Sequence, residues 1–260
     1  MSDPVRVHSV VDGPADGPAV VLSGSLGSDH RMWAPQVEPL VRQGFRVIRY
    51  DTRGHGASPV PSGPYTLDDL LADLLALLDE QGVARAHLVG LSLGGMTGMW
   101  AGVHAPERIA SLSLCCTSAR LGPPSMWAER AGLVRAEGTG VVAEGGVSRW
   151  VTPEYARRNP GEAEFLRAMI AGTPAEGYAA CCELIERMDQ VDALPGITAP
   201  TVVIAGAEDP ATPPEHGRLI ADAVPGARLE VVAGAAHLGS YEQPAEFSRI
   251  ILEHLKSAES

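Results

Sequence analysis

The sequence predicts an α/β fold: a mostly parallel sheet flanked by helices, with an inserted helical lid. Three observations carry that expectation. Apolar runs of strand length alternate with helix-like runs at both ends of the chain, the pattern of a parallel sheet covered on both faces. A serine stands at a sharp turn between one such run and a helix, in Gly90-Leu91-Ser92-Leu93-Gly94. From about Leu121 to Leu194 the patterning is helical and no convincing strand is present.

In chain order, Ala19-Val20-Val21-Leu22 is a short strand that runs into the loop Ser23-Gly24-Ser25-Leu26-Gly27. Phe45 to Tyr50 is a second strand, ended by Asp51-Thr52-Arg53-Gly54-His55-Gly56. A helix follows. Thr66 can cap it with Asp69 three residues on, Leu67, Leu70, Leu71, Leu74, Leu75 and Leu78 recur at helical spacing, and Gly82 stops it. Ala86 to Val89 is the strand before the serine, Gly95 to His104 is helical, and Ile109 to Leu114 is the next strand. After the helical segment, Thr201–Ala205 and Arg228–Val232 are strands, with a helix near Pro214–Ala223 between them and a last helix from about Ala245 to Lys256. The expected division is a core of residues 1–120 and 195–260 and a lid of residues 121–194, inserted after the sixth strand. No internal repeat is present.

Composition narrows the function. The 260 residues are 45% hydrophobic and 20% charged, enough for one well-buried core. A net charge of −12 with no basic patch argues against a nucleic-acid partner. No apolar run reaches the ~18 residues of a membrane span, and Met1 to Arg6 lacks the basic and apolar regions of a leader peptide. The four cysteines are two adjacent pairs, Cys115-Cys116 and Cys181-Cys182, without metal-ligand spacing. They read as buried small hydrophobes in a reducing compartment, hence a cytoplasmic protein.

Gly-x-Ser-x-Gly between a strand and a helix is the nucleophile elbow of the α/β-hydrolase fold. Glycine two residues either side lets strand and helix approach closely while the serine takes a strained backbone. A serine hydroxyl needs a base, and chain order in this fold is Ser, then acid, then His. Asp209, on the turn after Thr201–Ala205, is the expected acid, with Glu208 the adjacent alternative. His237, after Arg228–Val232, is the expected base. His55 follows an early strand, out of order, and reads as a loop-shaping residue. The oxyanion needs two backbone donors: the N–H of Leu93, directly after the nucleophile, and the N–H of Ser25 in the loop after the early strand. No His/Cys/Asp/Glu set has zinc or iron spacing and no phosphate loop is present, so no metal or cofactor is expected.

Beyond these residues, Leu22 to Trp33 and Arg49 to Ser58 resemble the 3-oxoadipate enol-lactonases. So do Thr173 to Tyr178 with Cys181-Cys182, Ala205 to Pro214, and Ala236-His237-Leu238 with Glu242-Gln243-Pro244. The likeness covers nearly the whole chain. One departure is Gly24, where several members carry asparagine. The resemblance implies hydrolysis of 3-oxoadipate enol-lactone to 3-oxoadipate, in the β-ketoadipate route of aromatic catabolism, through an acyl-enzyme on Ser92.

Such a substrate, a small anionic lactone, carries a free carboxylate and calls for a cation. Arg130 is the first candidate, sharing a helix face with Trp127; Arg31 and Arg149 are weaker ones. Trp127 and Trp150 either wall the pocket or pack the lid on the core. Two other readings stand beside this one. The first is a different lidded hydrolase, such as a carboxylesterase, a C–C hydrolase or a cofactor-free haloperoxidase-like enzyme. The second is a non-catalytic ligand-binding member of the fold.

Overall fold

The computed structural model describes residues 3–259; of the segment read above for a leader, Met1 and Ser2 lie outside the described residues. Seven strands form one sheet: β1 (Ser9–Asp12), β2 (Ala19–Ser23), β3 (Arg46–Tyr50), β4 (Ala86–Leu91), β5 (Ile109–Cys115), β6 (Thr201–Gly206) and β7 (Arg228–Val232), in spatial order β1-β3-β2-β4-β5-β6-β7. All neighbours pair in parallel except β1 with β3, which run antiparallel with Ser9 opposite Tyr50. Strands β2, β4 and β6 are buried throughout and β5 at all but one residue, as a parallel sheet covered on both faces requires.

The helices are α1 (Ala34–Arg42), α2 (Leu67–Glu80), α3 (Leu93–His104), α4 (Pro124–Glu137), α5 (Gly140–Trp150), α6 (Pro153–Arg158), α7 (Pro160–Ala171), α8 (Ala175–Arg187), α9 (Pro214–Ala223), α10 (Gly239–Glu242) and α11 (Pro244–Glu259). The leucine stripe of α2 is buried, and its start carries the expected reciprocal cap. The Asp69 N–H donates to Thr66 Oγ1 at 3.2 Å and the Thr66 N–H donates to Asp69 Oδ2 at 2.9 Å.

Two expectations change. The sheet has a seventh strand, β1, that the sequence does not signal: its four residues lie at the sheet edge, three half-buried and Val11 exposed, too short to show a period. With it counted, the inserted helices α4–α8 leave the sheet after the fifth strand, not after a sixth. The insertion is helical as expected; α4 packs on α8, and α5 on α7.

Strand order reverses between β2 and β4, which lie side by side although β3 separates them in sequence. The crevice beyond the carboxyl ends of such strands is where open α/β sheets place their sites. The loop after β2 and the turn after β4 both open there.

Candidate active site

Ser92 joins β4 to α3 with φ 55° and ψ −111°, a backbone that L-residues rarely adopt. The surroundings hold it there. Its N–H donates to the Cys115 carbonyl at 3.0 Å, and its own carbonyl accepts from Thr117 Oγ1 at 2.7 Å. The two flanking glycines are required by space. A Cβ on Gly90 would lie 2.2 Å from the Gly94 carbonyl oxygen, and one on Gly94 would lie 2.1 Å from that of Ser23.

Asp209 stands on the turn after β6, buried at 3% exposure. Its carboxylate accepts from the N–H groups of Ala211 (2.8 Å) and Thr212 (3.0 Å), from Thr212 Oγ1 (2.7 Å), and from His237 Nδ1 (2.8 Å). Burial alone would raise its pKa; the facing His237 and these donors outweigh burial and hold the carboxyl below its ordinary range. Glu208, the alternative acid, is exposed. Thr212 was not singled out from sequence, although Asp-x-x-Thr on a turn is a local signal for this carboxylate–hydroxyl bond.

His237, also buried, donates a hydrogen bond from Nδ1–H to the Asp209 carboxylate. That tautomer leaves Nε2 unprotonated, the state a general base needs. Ser92 and His237 line one cavity of about 290 Å³. No hydrogen bond joins the Ser92 hydroxyl to His237 in this conformation; such contacts tighten in the complex with substrate.

The oxyanion loop departs from expectation. The Ser25 N–H points at the Met32 thioether, 3.3 Å away. The reason is the tight turn in which the Ser25 carbonyl accepts from the Ser28 N–H (3.1 Å) and hydroxyl (2.7 Å). The Gly27 N–H donates to His55 Nε2 at 3.0 Å. The N–H groups of Gly24 and Leu26 have no acceptor among the described residues, and of the two only Leu26 lines the cavity, beside Ser25 and Ser92. Leu93 occupies the first helical position of α3, where the N–H has no partner within the helix.

The inserted helices supply the opposite wall. Trp127 and Trp150 are both buried and both line the cavity, so each packs the lid and walls the pocket. The Arg130 guanidinium lies 4.9 Å from the centroid of the Trp127 ring. Arg149 stands in the same cavity, whereas Arg31 is paired with Asp29 at 2.6 Å and lies outside it. Burial, then the neighbouring Arg130, lower the pKa of Arg149. Tyr178, in the same cavity, has its phenol pushed up to about 12 by burial despite both arginines. Neither Arg130 nor Arg149 is ion-paired with a carboxylate among the described residues. Two cations thus share a cavity with no carboxylate among its described lining residues.

The four cysteines are buried and unpaired, with thiols raised by burial. Sequence spacing shows no metal set, yet the fold brings His8, His30 and Asp51 together with ligand atoms within 4.8 Å. Asp51 is already committed there. Its Oδ1 accepts from the His30 N–H and Nδ1, and its Oδ2 from the Ala57 N–H. Among the described residues no helix is long and apolar enough to cross a membrane.

Comparison with known proteins agrees with this fold. The profile of the alpha/beta hydrolase family matches residues 19–250. The chain is 40% identical over 247 residues to 3-oxoadipate enol-lactonase 2 of Acinetobacter baylyi, covering 95% of this chain and 92% of that one. It superposes on the crystal structure of the enol-lactonase from Burkholderia xenovorans LB400 with a TM-score of 0.94 and 41% identity, covering 96% of each chain. A thermophilic esterase from Thermogutta terrifontis, solved with malate bound, follows at a TM-score of 0.92 and 33% identity, with 98% of this chain and 94% of that chain covered. This chain belongs to the alpha/beta hydrolase family and, within it, to the family of the 3-oxoadipate enol-lactonases.

Proposed function

We propose that this ester-hydrolysing enzyme opens 3-oxoadipate enol-lactone to 3-oxoadipate, as a cytoplasmic step of aromatic catabolism. The observation that carries the reading is the pair Arg130 and Arg149, unneutralised, in the cavity that holds Ser92 and His237. A lactone with a free carboxylate fits that charge; a neutral ester leaves it unanswered. The similarity to named enol-lactonases supports the same substrate.

The mechanism follows from the residues. Ser92 Oγ attacks the lactone carbonyl carbon while His237 Nε2 takes its proton. The N–H groups of Leu93 and Leu26 stabilise the oxyanion; Leu26 replaces Ser25 in that role because the Ser25 N–H is spent on Met32. Collapse breaks the ring C–O bond. The leaving group is an enolate; the His237 imidazolium gives it the proton taken from Ser92, which regenerates the neutral base, and the enol tautomerises to the ketone on the same acyl chain. His237 then takes a proton from water, whose oxygen attacks the acyl-enzyme, and returns it to Ser92. Asp209 holds the imidazole tautomer and supports its positive charge throughout.

The test is kcat/KM on the enol-lactone against p-nitrophenyl acetate, each with wild type and Ser92→Ala. A large Ser92-dependent preference for the lactone supports the reading. Equal or better ester turnover would keep the mechanism and favour the second reading, a carboxylesterase, which the 33% identical esterase motivates.

A further inference from the structure

Glu242, in the short α10 five residues after His237, is buried at 6% exposure. No cation is paired with it among the described residues. A carboxylate in that setting is costly unless donors satisfy it. Three do. The Ala236 N–H donates to Oε2 at 2.8 Å, the Thr152 N–H donates to Oε1 at 3.0 Å, and the Thr152 hydroxyl donates to Oε1 as well. Thr152 is the N-cap of α6, two residues beyond the end of α5, and its hydroxyl also accepts from the Tyr155 N–H at 3.2 Å.

The neighbouring backbone repeats this connection. The His237 N–H donates to the Arg149 carbonyl at 3.3 Å, and the Leu238 N–H donates to the Trp150 carbonyl at 2.6 Å. Three consecutive N–H groups of the loop that bears His237 are therefore bound to residues 149–152, two directly and one through Glu242. Arg149 and Trp150 face the cavity. The backbone of residues 149–152 and 236–238 thus sets both the cavity wall and the place of the imidazole.

We propose that Glu242 is a positioning residue that locks the His237 loop onto the end of α5, so that the base is in register with the lid. The inference rests on the reading of Ser92 and His237 as nucleophile and base. Its chemistry is that of two acceptors facing three donors. An amide keeps the size but presents N–H₂ where one oxygen accepts, setting donor against donor, so Glu242→Gln breaks one side of the bridge. Thr152→Val removes only the hydroxyl contact and its cap on α6.

The experiment measures kcat, KM and the pH profile of kcat/KM for wild type, Glu242→Gln, Thr152→Val and the double variant, on p-nitrophenyl acetate and on the enol-lactone. Rates are normalised to sites titrated with a serine-directed phosphonate, and folding is followed by thermal unfolding. A displaced base lowers kcat per site in Glu242→Gln by about 100-fold, the scale of a 1 Å misplacement. It also shifts the acidic limb of the pH profile and leaves KM nearly unchanged. Thr152→Val loses less, and the double variant loses no more than Glu242→Gln alone.

A lower melting temperature with kcat per site and pH profile unchanged would overturn the proposal, as would additive losses. Should Glu242→Gln fail to fold, Thr152→Val decides alone: unchanged kcat and pH profile reject the idea. Ser92→Ala separates the two levels. If it keeps turnover, the reading of the site fails and takes this inference with it; if only the lactone is refused, the ester rates still test Glu242.

Discussion

The Gly27 N–H donates to His55 Nε2 across 3.0 Å, and His55 Nδ1 lies 3.2 Å from the Arg53 carbonyl. The pair is fully buried, and it requires a neutral ring with its proton on Nδ1. Burial lowers the pKa of His55, opposed by the Arg53 carbonyl and the carboxylates of Asp51 and Asp29. The ring anchors the peptide next to Leu26. His55→Leu is expected to lower kcat by up to about 100-fold with little change in KM, the lower end of what loss of an oxyanion donor costs, because the donor is displaced and not removed. Steady-state kinetics on p-nitrophenyl acetate check this; an unchanged kcat would return His55 to a loop-shaping role.

The elbow should be more strained with alanine than with glycine. At φ 55° and ψ −111° a Cβ costs of order 1–3 kcal/mol, and glycine loses about 0.5–1 kcal/mol of that gain to chain entropy. Ser92→Gly should therefore unfold about 1 kcal/mol harder than Ser92→Ala, and both should lose at least ~10⁴-fold in turnover. Denaturant titration of the two variants measures the difference. Gly94→Ala should do the reverse: its Cβ would meet the Ser23 carbonyl oxygen at 2.1 Å, and the fold should lose several kcal/mol.

Removing either cavity arginine should act on the anionic substrate alone. Arg130→Ala and Arg149→Ala are each expected to raise KM for the enol-lactone by about 10-fold or more, the worth of a charge-assisted hydrogen bond. The KM for p-nitrophenyl acetate should stay within about twofold, because a neutral ester gains nothing from the charge. Parallel losses on both substrates would point to lid packing, since Arg130 also covers Trp127.

Stability should fall as pH drops below neutrality. His254 is buried against the Pro200 carbonyl and Arg228; burial, then Arg228, lower its pKa to about 4. In the unfolded chain it titrates near 6.5, so below that pH the unfolded state binds the proton first. The stabilisation is therefore complete above about pH 6.5 and is lost progressively toward pH 4, amounting to about 2 kcal/mol by pH 5. Burial also lowers His55 and His87, which adds to the same slope. Melting temperatures at pH 7.5 and pH 5 should differ by several degrees, and by less in His254→Gln. A pH-independent difference between the two proteins would exclude this cause.

The sequence by itself determined what depends on local chemistry and chain order. Ser92 is legible because only glycine fits at 90 and 94. The start of α2 is legible because Thr66 and Asp69 satisfy each other's backbone. Asp209 and His237 are legible because turns after late strands can face only one edge of a parallel sheet. Tertiary structure alone decided the rest. The short edge strand β1 takes its conformation from β3, having no period of its own. Which loop N–H stays free for an oxyanion depends on Met32 and His55, which turn the Ser25 and Gly27 peptides from outside the loop. Arg149 rather than Arg31 joins Arg130 because α5 closes over the cavity while Arg31 is paired with Asp29. Glu242 meets Thr152 across 90 positions of chain. Contacts of that span arise from packing between elements, and no local pattern of residues encodes them.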